Sequence, residues 1–152
     1  MTRPPTAAPG QVMIALGWVA IVLGGLVAAV TGPLDWAKGS WAAAYLVLVV
    51  GVAQYVMGRM RPAGPRPDRQ GWAQVAGWDL GSLLVIGGTL AATPALVTVG
   101  SALLAVALAL ALLADLRAPE RARTWVTWGY GAMLIVLLVS IPVGTVLSHL
   151  RS

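Results

Sequence analysis

Residues 72–114 read WAQVAGWDLGSLLVIGGTLAATPALVTVGSALLAVALALALLA, a run in which Asp79 is the only ionisable side chain. An α-helix rises about 1.5 Å per residue and the hydrocarbon core of a bilayer is about 30 Å thick, so about 20 apolar residues make one crossing. The run is too long for one span. It is divided at Thr93-Pro94, because proline disfavours helix at the residue before it and has no N–H for the helical ladder. The reading is therefore two helices, about 73–92 and 95–114, joined by a tight turn.

Outward from this run, Val12 to Val30 supplies a first apolar segment. Trp41 to Gly58 supplies a second, with Trp36 and Trp41 at its start and Arg59 and Arg61 at its end. Trp125 to Leu147 supplies a fifth, with Pro142 as an expected kink. The expected fold is an all-α integral membrane protein: one membrane domain over 1–152, a five-transmembrane-helix bundle with helices at about 12–30, 41–58, 73–92, 95–114 and 125–147. The first segment is longer than the apolar region of a typical signal peptide, about 7–15 residues, and is read as retained.

Composition agrees. The chain has 152 residues, 59% hydrophobic and only 10% charged, with a mean hydropathy of +0.83. That leaves too little polar surface to solvate a soluble domain of this size. No polar stretch is long enough to build a second core. Cysteine is absent, which excludes disulfides, thiolate metal sites and thiol nucleophiles. The bias to Arg over Lys, and the lack of Phe and Asn, suggest a high-GC bacterial genome. The net charge of +5 does not point to nucleic acid, because the basic residues flank apolar spans and form no stripe with interleaved aromatics.

With five spans, Arg3, Arg59, Arg61, Arg66, Arg69, Arg117, Arg121 and Arg123 fall on one side, and only Lys38 and Arg151 on the other. Such a division over short loops is the positive-inside pattern. It predicts a cytoplasmic N-terminus, an extracytoplasmic C-terminus and contact of the seven loop arginines with anionic headgroups. Trp72, Trp78, Trp125 and Trp128 then belong near the cytoplasmic headgroups, and Trp36 and Trp41 near the outer ones. The linker from Arg59 to Gln70 is proline-rich and charged, and is expected to be extended and non-helical.

An internal repeat is suggested by Gly17-Trp18 followed by Gly24-Gly25, and Gly77-Trp78 followed by Gly87-Gly88. It would be a parallel duplication of a two-helix hairpin with the fifth helix appended. Small residues also recur four apart: Ala20 and Gly24, Gly25 and Ala29, Gly77 and Gly81, Gly87 and Ala91, Ser140 and Gly144. Such ridges let helix backbones approach closely in lipid.

Asp79 is the only acid placed inside hydrocarbon, roughly 10 Å beyond Trp72 by helical rise. A carboxylate there costs about 2.5–3.5 kcal/mol on insertion scales, so it should face the bundle and have a partner or carry a proton. Gln54, Tyr55, Ser82 and Tyr130 lie at comparable depth and complete an expected intramembrane polar cluster. Read functionally, this is a pocket for a proton, a cation or a small cationic substrate. Read structurally, it is a hydrogen-bonded clasp between helices, or an acid reaching to Arg59 or Arg123.

Catalysis finds no support: no phosphate-binding GxxxxGK[ST] loop is present, and His149, the single histidine, is on the opposite side from Asp79. One histidine also excludes bis-His haem within a chain and gives zinc no ligand set. No cofactor, metal site or nucleic acid is expected. The first functional expectation is a structural or accessory subunit that packs against a membrane protein partner, or against its own copies, through its Gly/Ala ridges. The second is a small oligomeric transporter or channel that uses Asp79 for proton or cation coupling. A haem- or quinone-binding anchor comes third.

Overall fold

The computed structural model of the chain describes residues 8–61, 68–117 and 128–139, and these are helical with no strand among them. Five helices lie in this part: α1 Pro9–Thr31, α2 Gly39–Met60, α3 Arg69–Leu90, α4 Pro94–Leu116 and α5 Trp128–Val139. Of these, α1, α2 and α4 are long and apolar enough to cross a membrane. Helix α3 has 22 residues, enough for the same distance, but Gln70, Gln74, Asp79 and Ser82 interrupt its apolar sequence. Pro142, Ser140 and Gly144 lie outside the described residues.

Local chemistry sets the helix ends. Pro9 occupies the first turn of α1, where its fixed φ and missing N–H cost nothing, and the Ala8 N–H donates to the Gln11 side chain at 3.4 Å. The helix thus starts before residue 12. The linker is also shorter than the sequence suggested, because Arg59 and Met60 end α2 in helical conformation and α3 begins at Arg69. The reason is Asp68, whose carboxylate accepts from the Gly71 N–H at 2.8 Å and caps the first turn. At the other end of α3 the Thr93 N–H donates to the Gly88 carbonyl at 2.8 Å. Ala92 takes a left-handed φ of 51° in the position that usually holds glycine in this helix-terminating motif. Pro94 then opens α4.

The helices pair as two antiparallel hairpins, α1 with α2 and α3 with α4, which meet through α1, the centre of α2 and α3. The turns of the two hairpins are tied together: Lys38 Nζ, between α1 and α2, donates to the Thr89 carbonyl at 2.7 Å and to the Leu90 carbonyl at 3.4 Å. Both carbonyls lie in the last turn of α3, where the Thr89 carbonyl also accepts from the Ala92 N–H at 3.4 Å, and the ammonium complements the negative end of the helix dipole.

Glycines decide how close the hairpin helices come. On α1, Gly10, Gly17 and Gly24 recur every seven residues, about two turns, and so share a face. A Cβ on Gly10 would lie 3.0 Å from the Gly58 carbonyl oxygen, one on Gly17 would lie 2.9 Å from that of Gly51, and one on Gly24 would lie 2.6 Å from Val47 Cγ2. In the second hairpin a Cβ on Gly100 would lie 2.6 Å from the Gly81 carbonyl oxygen, and one on Gly88 would lie 2.9 Å from Leu96 Cβ. Gly77 meets only an ordinary contact, Ala107 Cβ at 3.5 Å, while Gly25 and Gly87 have nothing within 4 Å. The positions that the repeat aligns therefore have opposite surroundings: Gly24 is packed where Gly87 is open, and Gly25 is open where Gly88 is packed.

The core contains Met13, Met57, Trp78, Leu108 and Leu134, each at most 1% exposed. Trp78 thus corrects its expected place at the headgroups. It belongs to the stripe Gln74, Val75, Trp78, Gly81, Ser82, Val85 and Gly88 that α3 buries, and helical phase overrides the aromatic preference for the interface. Trp72 and Trp128 are exposed at 45% and 64%.

Candidate functional site

The polar groups of the bundle collect between α2 and α3, and the winding of α2 puts them there. Its segment Leu46–Ala53 is a π-helix, a form that is rare over more than one turn and is frequent at functional sites. Tyr45 and Gln54 flank this segment, nine residues apart. On an α-helix that separation is about two and a half turns and places the two side chains on opposite faces. With i→i+5 bonding and about 4.4 residues per turn it is close to two turns, and both side chains come to one face. Gly51, inside the segment, leaves room for Ile21 of α1, so the widened helix still packs closely.

Gln54, which is fully buried, donates through Nε2 to both carboxylate oxygens of Asp79 at 3.0 Å each. Among the described residues this is the only hydrogen bonding of Asp79, and none of their basic side chains lies within ion-pair distance of it. Arg59 is exposed and does not reach it; Arg123 lies outside the described residues. Ser82, three residues on from Asp79 and therefore on the same side of α3, stands against the Tyr45 phenol. Neither hydroxyl closes a hydrogen bond of good geometry. Gln54 Oε1 and Trp78 Nε1 are likewise buried without a partner. Such atoms cost about 1–3 kcal/mol each, so each requires a physical explanation.

The remaining members of the expected cluster lie elsewhere. Tyr55 points toward α1, its ring edge-on to Trp18 with centroids 5.5 Å apart. Tyr130 is buried in a narrow cleft with Met57, Arg61, Gln74, Ala111 and Asp115. Next to that cleft is a group the sequence reading assigned to loop charge. Arg61, whose side chain is 8% exposed, pairs with Asp68 at 3.0 Å and donates to the Gln74 amide oxygen, while Gln74 Nε2 approaches Met57 Sδ at 3.6 Å. Arg61 therefore joins the end of α2 to the start of α3 and is not free for headgroups, whereas Arg59, Arg69 and Arg117 are exposed. Arg66 and Arg121 lie outside the described residues.

Among the described residues no three His, Cys, Asp or Glu side chains cluster. Beyond the polar site, a groove of about 550 Å³ opens between the halves of α1 and α2 next to their connecting turn, lined by small residues including Gly25, Ala28, Gly32, Ser40 and Ala44. The chain matches no family model, no curated protein and no solved structure, so a functional reading rests on this geometry.

Proposed function

We propose that the protein is a multi-pass protein of the bacterial inner membrane that acts as a structural or accessory subunit, without chemistry of its own, beside a larger membrane partner. The observation that carries this reading is the groove beside Gly25. Its small lining residues leave backbone exposed on the face of two helices long and apolar enough to cross a membrane, and an apolar helix fits such a face by close packing. Filling it by Gly25→Leu together with Ala28→Leu tests the idea. The substitutions should leave the melting temperature in detergent unchanged, because a Cβ on Gly25 would meet nothing within 4 Å, and should remove a stoichiometric partner from mild-detergent preparations. A partner that survives the filled groove would refute this docking mode.

The arrangement in the membrane belongs to the same reading: five spans, N-terminus in the cytoplasm, C-terminus outside. Its support is the arginine distribution and the Lys38 contact, which puts both hairpin turns at one end of the bundle. As the chain has no cysteine, single cysteines report without background. Cysteine at position 38 or 150 should label from outside intact cells, and at 66 or 121 should not. Reversed labelling would overturn the orientation, and labelling at both 38 and 66 would overturn the number of spans.

The transporter reading draws on a different observation, the Asp79 carboxylate held among the described residues by Gln54 alone, whose own Oε1 is buried without a partner. Proton or cation flux through reconstituted protein, abolished by Asp79→Asn, would favour it over the accessory role.

A further inference from the structure

The contact between α2 and α3 leaves a charge and several oxygens unaccounted for. Among the described residues Asp79 accepts hydrogen bonds from a neutral amide alone, midway along α3, where a counter-charge offsets the loss of water. Gln54, 0% exposed, and Ser82, 2% exposed, each have an oxygen without a partner, and the Tyr45 hydroxyl beside Ser82 is in the same condition. The π-helical segment of α2 is what turns Tyr45 and Gln54 together toward this side of α3. All of these donors are oxygen, the ligand type of hard cations. Only one of them carries charge, which matches a single positive charge and would leave a divalent ion half neutralised.

We propose that Asp79, Gln54, Ser82 and Tyr45 form a binding site for one monovalent alkali cation, which neutralises Asp79 and links α2 to α3. The Asp79 carboxylate supplies the charge, and the hydroxyls of Ser82 and Tyr45 supply neutral ligands. Gln54 contributes Oε1 by rotating its amide, since a cation beside the carboxylate removes the need for Nε2 to donate there. The cation is a structural part of the bundle, so the site does not depend on the accessory-subunit reading and requires no transport.

The test is thermal unfolding of the full chain in detergent, in sodium, potassium or lithium chloride against choline chloride at matched ionic strength and fixed pH. At least one alkali cation should raise the midpoint saturably, by about 5–10 °C at a hundredfold excess over its Kd. Asp79→Asn should remove the rise while remaining folded, because asparagine still accepts from Gln54. Ser82→Ala should raise the apparent Kd about tenfold or more without preventing folding, and it keeps the test decisive if Asp79→Asn fails to fold. Equal midpoints in all alkali salts and choline would overturn the proposal. So would a rise that both variants retain, or stabilisation that follows pH equally in choline and in sodium, which would identify a proton as the occupant.

Discussion

Gly100→Ala is expected to destabilise the protein by about 1–3 kcal/mol, the usual cost of forcing extra volume into a packed contact, although alanine is by about 1 kcal/mol the better helix former. The sign follows from what the new methyl meets. It would lie 2.6 Å from the carbonyl oxygen of Gly81 and 2.9 Å from the Val85 backbone nitrogen, and a helix backbone cannot rotate aside as a side chain can. Gly58→Ala, 2.7 Å from the Gly10 carbonyl oxygen, should behave alike in the first hairpin. Gly87→Ala and Gly25→Ala provide the contrast. Each adds the same methyl to the same kind of helix with nothing within 4 Å, and should leave stability unchanged or slightly improved. Melting midpoints of the four variants in one detergent check this. A loss at Gly87 equal to that at Gly100 would mean that glycine content, not backbone approach, holds the hairpins.

The glycine doublets show where sequence reading reached its limit. Gly24-Gly25 and Gly87-Gly88 announce that a helix has a smooth face, but adjacent residues point about 100° apart. Which member of each doublet meets the neighbouring helix depends on the rotation of the whole helix, a tertiary property. The break at Thr93-Pro94 was legible because proline acts within its own turn. Asp79 and Gln54 were legible as a pair because depth along a span follows from counting residues. Tyr130 satisfied the same count and went to a different cleft, since depth says nothing about azimuth. Tyr45 was missed because a nine-residue separation from Gln54 puts it on the opposite face of any ordinary α-helix, and the π-helical winding that cancels the difference has no residue signature. Trp78 and Arg61 were misplaced for a shared reason. Tryptophan and arginine near a span end are read as interfacial, and only the packed structure shows that each faces inward.

Gln54→Leu is expected to harm the protein more than Asp79→Leu, and the two together less than Gln54→Leu alone. Removing Asp79 strands the neutral amide of Gln54 in a fully buried position, a loss of about 1–3 kcal/mol. Removing Gln54 strands a carboxylate whose two oxygens have no other hydrogen-bond donor among the described residues, and a charged group left unpaired costs more than that range. With both replaced, no polar group of the pair is left without a partner and the apolar side chains fill the contact, so most of the penalty disappears. The four proteins form a double-mutant cycle in which the interaction energy is read directly. The measurement is their unfolding midpoints in choline chloride, where no alkali cation can compensate Asp79. Additive losses would show that Gln54 and Asp79 are neighbours without being partners, and that the unpartnered oxygens between α2 and α3 need an explanation that does not pass through this clasp.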